Sequence, residues 1–171
     1  MMNYSTKIII VFVVLFTSTV SLAFSQMNVS QTMTPTQYVN NVLLGEGVTA
    51  TNVQFSGSME QIGYLTDGGT GFSLESGIIL STDLATNPAT CDPAGCGTCV
   101  GLGSDPDLLT VANSVPPLIG ETFSVSGVFD VCILEFDFQP SGDFVSFNYI
   151  FGSDEYLVYV NSAYNDVFGF F

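Results

Sequence analysis

The sequence predicts an all-β fold, an antiparallel β-sandwich of jelly-roll-like type with one short packed helix. Two observations carry this. Apolar and polar residues alternate through 132–138 and again through 145–151, the period of strands buried on one side. Upstream, short apolar runs at 48–55, 62–65, 72–74 and 78–80 are punctuated by glycine. That spacing favours a sandwich over alternating helices and strands.

In chain order, the first segment carries the one basic residue, Lys7, followed by an unbroken apolar run at 8–16. A polar-small stretch leads to Ala23-Phe24-Ser25, with small residues at −3 and −1 before Gln26. Nine apolar residues are too few to span a bilayer as a helix, so residues 1–25 read as a signal peptide. The alternative is an uncleaved N-terminal anchor. Residues 26–171 then form one domain, long enough for a sizeable core.

Thr34-Pro35-Thr36-Gln37 has capping-box spacing, with threonine as N-cap, proline at N1 and glutamine at N3. Tyr38, Val39, Val42 and Leu43 share one helical face, and Gly45 stands where a C′ residue belongs. Residues 67–71, Asp-Gly-Gly-Thr-Gly, make a turn; as a phosphate loop they lack the lysine and the following helix. Asp105-Pro106-Asp107 caps a short helical turn through Leu108, Leu109 and Ala112, and Pro116-Pro117 ends what precedes them.

In the first alternating run, Cys132, Leu134, Phe136 and Phe138 fall on the inward face. Residues 139–143, Gln-Pro-Ser-Gly-Asp, supply turn chemistry. The second run sets Val145, Phe147, Tyr149 and Phe151 on one face. Two runs joined this way read as an antiparallel hairpin. An acidic, aromatic loop at 152–166 follows, then a third apolar run at 167–171.

Composition prunes function. The chain holds sixteen acidic residues, one basic residue and no histidine. Beyond the leader nothing can replace the counterions of a phosphate backbone, which excludes nucleic acid as a partner and disfavours anionic membranes. A catalytic triad or Cys-His pair lacks its imidazole, and phosphoryl transfer lacks its basic clamp. Carboxylate-only glycoside hydrolysis survives, but sixteen acids always contain pairs.

The string Asn148-Tyr149-Ile150-Phe151-Gly152-Ser153-Asp154-Glu155-Tyr156, a spacer, and Asn165-Asp166-Val167-Phe168-Gly169-Phe170-Phe171 resemble the choice-of-anchor L domain. So do, in order, Val42-Leu43-Leu44-Gly45, Gly47-Val48-Thr49, Gln61-Ile62-Gly63, residues 77–82 and residues 105–108. The resemblance covers most of the chain after the leader. It implies a module of large secreted and surface-attached bacterial proteins, with other domains of a larger protein as partners and no catalytic residue to carry over. The family pattern continues past Phe171, so the chain is expected to stop inside its own domain.

Cys91, Cys96, Cys99 and Cys132 follow the C-x4-C-x2-C…C spacing of a plant-type [2Fe–2S] ferredoxin. Export to an oxidising compartment instead favours disulfides, with the connectivity open. Cys132 then pins the cysteine-rich loop to the sheet.

In the acidic loop, Asp154, Glu155, Asn165 and Asp166 are candidate calcium ligands, offering oxygen donors with no basic neighbour. The bland alternative is turn capping by Asp and Asn. Taken together, the reading is a secreted, cell-surface, non-catalytic module of adhesin type, with an extracellular protein or glycan as ligand. Its rivals are an exported [2Fe–2S] electron carrier and a carbohydrate-active module stacking sugars on Tyr156, Tyr159 and Tyr164.

Overall fold

The computed structural model describes residues 27–66, 73–86, 103–153 and 166–171. Among these, antiparallel strands dominate, in two sheets. Strands β1 (Asn28–Ser30), β3 (Ile62–Thr66) and β4 (Ser76–Leu80) form a three-stranded sheet in the order β1-β3-β4. Strands β2 (Val48–Ser56) and β5 (Ile133–Pro140) form a separate ribbon. The glycine-punctuated apolar runs at 48–55, 62–65 and 78–80 become strands, as their spacing predicts. There are two helical segments rather than one: α1 (Pro35–Tyr38), extended by a π turn over Val39–Leu43, and α2 (Pro106–Leu118).

Helix α1 starts as its spacing predicts. The Thr34 hydroxyl accepts from the Gln37 N–H at 3.3 Å, and the Gln37 side chain accepts from the Thr34 N–H at 2.8 Å. Tyr38 and Val39 are fully buried, and the Tyr38 hydroxyl donates to the Ser30 carbonyl, tying α1 to β1. The expected end at Gly45 is not used. The Leu44 N–H reaches back five residues to Val39 at 3.0 Å, and Leu44 itself is extended, so the chain leaves the helix without a left-handed residue.

A single turn at Met59–Gln61 joins most of these parts. Gln61 is a fully buried polar residue with its amide satisfied on both sides. Its Oε1 accepts from the Ser58 N–H at 2.9 Å, and its Nε2 donates to Asp130 O at 3.0 Å and Thr82 O at 3.4 Å. The main chain of the same turn accepts from Ser81 and Ala85. From outside, the Gln31 Nε2 reaches the carbonyls of Met59, Glu60 and Ile62 at 2.8–3.1 Å. Two glycines make room for this packing. A Cβ at Gly57 would lie 2.8 Å from the Gln61 Oε1 and 3.1 Å from the Cys132 Cβ, and one at Gly63 would lie 2.5 Å from the Val29 Cγ1. Around the turn, Ile62, Leu65, Ala85, Val128 and Val131 complete the buried apolar set.

The hairpin expected from the two alternating runs does not form. Strand β5 pairs antiparallel with β2, from Val48 opposite Pro140 to Ser56 opposite Ile133. Its partner is the longest of the upstream apolar runs, and Pro140 takes the end position, where its missing N–H interrupts no ladder. The Ser141 N–H closes the ribbon on Gly47 O at 2.7 Å. One extra residue in β2 makes a bulge between Thr51 and Gln54, with Asn52 in the left-handed region at φ 52°. The Asn52 amide donates to the Asp137 carboxylate across the ribbon.

Helix α2 is longer than the single turn expected. Asp105 caps it through the Leu108 N–H at 2.8 Å, and it runs through Pro116 and Pro117 to Leu118. The prolines fall in the last turn, so they remove only a little of the helical hydrogen bonding. Pro116 O still accepts from Glu121 at 2.8 Å.

Replacing Gln61 tests the junction. Gln61→Ala leaves a buried N–H and two carbonyls unsatisfied and is expected to lower stability by about 3 kcal/mol in urea unfolding. Gln31→Ala, at a more exposed anchor, is expected to cost about 1 kcal/mol.

Candidate functional site

The second alternating run, expected to be buried, lies on the surface instead. Residues 144–151 are all exposed, Phe144 at 95 %, and Phe171 is exposed at 81 %. Among the described residues, 144–152 and 166–171 make no backbone–backbone hydrogen bond with one another or with the rest. A set of rings brings the two segments into contact. Phe147 meets Phe170 edge-on at 4.6 Å, and Tyr149 stacks on Phe168 at 5.6 Å. Phe151 approaches Phe168 at 6.1 Å, and Phe168 meets Phe170 at 4.6 Å. Such pairs contribute about 0.5–1.5 kcal/mol each beyond the area they cover.

Period-two spacing places Phe147, Tyr149 and Phe151 on one side of their segment, with Phe168 and Phe170 playing the same part on theirs. The second segment is backed by the body of the protein: a Cβ at Gly169 would lie 3.6 Å from the Leu108 Cδ2 of α2. Beside the first segment, Ser73, Leu74 and residues 147–150 line an open depression of about 470 Å³. Exposed Asp143 and Asp166 stand next to the aromatic segments in the chain, and no basic residue lies in either.

Most residues singled out in the sequence for chemistry lie outside the described residues. This holds for Asp154, Glu155 and Asn165 of the calcium set, for Tyr156, Tyr159 and Tyr164, and for Cys91, Cys96 and Cys99. Asp166, the fourth calcium candidate, is exposed. Among the described residues no three His, Cys, Asp or Glu side chains gather closely enough to hold a metal. None of the described residues forms a disulfide.

Cys132 is a free thiol just ahead of β5. It sits against the Gly57 gap and lies 3.3 Å from Ser81 O, to which the S–H donates. Burial pushes its pKa from 9.0 up to about 11.

The exposed rings were visible in the sequence as apolar alternation. What the alternation did not reveal is that nothing in the described chain covers them. In class, then, this is an antiparallel β-rich module presenting an uncovered aromatic face. The choice-of-anchor L domain matches residues 26–171, and the chain belongs to that family. No curated protein and no solved structure matches it. Membership places the chain among extracellular, surface-associated modules, which are typically parts of larger surface proteins. Nothing in the match supports the [2Fe–2S] carrier.

Cys132 gives a direct check on the junction. A pKa raised from 9.0 to about 11 leaves about a hundredfold less thiolate at pH 8, so alkylation of Cys132 by iodoacetamide, followed by peptide mass mapping, should slow by at least that factor on folding. Because the folded pKa is the higher one, the thiol's contribution to stability is complete below pH 9. It is lost as pH rises through about 11, a loss that Cys132→Ala should not show.

Proposed function

We propose that the protein is a non-catalytic, extracellular module of a bacterial surface or adhesin-type protein, which acts by contact through the aromatic face of residues 144–151 and 166–171. The observation that carries this is the exposure of that face: a contiguous apolar surface of this kind marks an interaction site. The absence of histidine, and of any basic residue beyond Lys7, supports a binding role over catalysis, since the imidazole base and the cationic anion clamps are missing.

In this reading residues 1–25 are a signal peptide and the two sheets are layers of a sandwich. Protease treatment of intact cells tests it. The protein should be digested from outside, and removing residues 1–25 should leave it protected. Protection of the unaltered protein in intact cells would overturn the extracellular assignment.

Calcium belongs to the same proposal, with Asp154, Glu155, Asn165 and Asp166 as ligands. The support is their donor chemistry: oxygen ligands, carboxylate charge and no lysine or arginine to neutralise them. For a Kd near 0.1 mM, a value of the order seen in extracellular modules, 10 mM calcium should stabilise folding by about 2.7 kcal/mol. A melt in calcium against one in chelator, at matched ionic strength, reads this. A shift no larger than magnesium gives, or one unchanged by Asp154→Ala and Asp166→Ala, would assign these residues to turn capping.

A further inference from the structure

We propose that cleavage of the leader exposes Gln26 and that this glutamine closes on itself to a pyroglutamyl lactam, leaving the mature protein with no cationic group at all. The proposal rests on reading residues 1–25 as a signal peptide. It names a covalent modification of the end that the cleavage creates.

The chemistry is in the sequence. Ala23 and Ser25 stand at −3 and −1, so the cut falls before Gln26, and the family likeness begins at the same residue. An N-terminal glutamine carries nucleophile and electrophile on one residue. Its α-amine attacks Cδ of the side-chain amide and closes a five-membered ring, a step favoured by proximity. The Cδ–Nε2 bond breaks, and the amide nitrogen leaves as ammonia with the proton the amine gives up. No oxidant, reductant or co-substrate is needed. Gln26 itself lies outside the described residues. Met27 and Asn28, which follow it, are exposed, as the end of a chain open to a cyclising enzyme requires.

The structure shows what such a ring would protect. Close behind that end, Asn28, Val29 and Ser30 pair with Thr66, Leu65 and Tyr64. Ser30 O accepts from the buried Tyr38, and the Gln31 amide reaches the carbonyls of Met59, Glu60 and Ile62. An aminopeptidase that removed a few residues would release β1 and then the Gln31 anchor. Such enzymes grip a free α-ammonium, which the lactam lacks.

Charge gives the second half of the protection. Beyond Lys7 the chain has sixteen carboxylates and no lysine, arginine or histidine, so trypsin-like endopeptidases have nowhere to cut. The new α-ammonium would be the one cation among them, and the ring removes it. The mature chain is then closed to every protease that reads a positive charge.

The experiment uses the protein purified from the cells that make it. Its amines are dimethylated first, and it is then cut after glutamate for peptide mass mapping. With no lysine beyond the leader, the label reads the N-terminus alone. Labelling first also stops glutamine from cyclising during digestion. The N-terminal peptide should begin at Gln26 and weigh one ammonia less than its sequence. It should carry at least about tenfold less label than the matching peptide of Gln26→Ala made in the same cells. An aminopeptidase should leave the unaltered protein whole and shorten Gln26→Ala from its end.

A fully labelled peptide beginning at Gln26 would overturn the lactam and leave the signal peptide standing. A cut at any other residue would also overturn the proposal, while protease exposure on intact cells would still support the extracellular assignment. A chain retaining residues 1–25 would refute the leader and the lactam together. Equal trimming of the two proteins by the aminopeptidase would overturn the protective role.

Discussion

The side-chain amide of Gln61 is the constraint on which the described structure depends. It is fully buried, yet its donors and acceptor are all engaged, by Ser58, Thr82 and Asp130. These three partners come from the turn before β3, the loop after β4 and the approach to β5. One planar group therefore fixes the spacing between the three-stranded sheet and the ribbon. No ion pair could do this beyond the leader, because there is no basic side chain to form one. A chain with this composition must take the donors of its long-range polar ties from neutral amides, hydroxyls and main chain. Among the described residues Gln31, Asn52 and Asn113 make further ones.

Strand β5 pairs with β2 on one edge, and residues 145–151, which the short Pro-Ser-Gly loop was expected to bring to its other edge, form no ladder with it. Strands β2 and β5 are nine and eight residues long, the extra residue of β2 making the bulge at Asn52 that bends the pair. The segment left over keeps its alternation without a ladder. Among the described residues its ring contacts are with Phe168 and Phe170, and rings specify orientation less tightly than a ladder of hydrogen bonds does.

The sequence made the local features legible and left the tertiary ones hidden. The start of α1 was readable because a capping box is a four-residue code whose donors and acceptors all lie within the string. Strands β2 and β3 were readable from short apolar runs and glycine spacing. Strand partnership was not, since alternation says which side of a strand is apolar and nothing about who lies beside it. The length of α2 was misjudged because Pro116 and Pro117 look like breakers, whereas in a last turn they are tolerated. The role of Gln61-Ile62-Gly63 stood in the sequence only as part of a resemblance. Its physical content is an amide hub, a buried aliphatic and a position too close to Val29 for a side chain. For the candidate site, the aromatic residues were legible but their exposure was not, because exposure depends on what the rest of the chain fails to cover.

Asn113 shows how narrow such amide ties can be. From within α2 its Oδ1 accepts from the Val125 N–H at 2.9 Å, and its Nδ2 donates to Val125 O at 3.1 Å and Leu109 O at 3.0 Å. A side chain here imitates the edge of a strand, holding residues 121–129, which form no strand of their own, against the helix. Aspartate has almost the same outline, but it would turn the donor into a second acceptor facing two carbonyl oxygens. Tolerance at this position is therefore decided by the identity of one atom rather than by volume. Hydrolysis of that amide, which converts asparagine to aspartate as proteins age, would release the segment without altering the shape of anything around it.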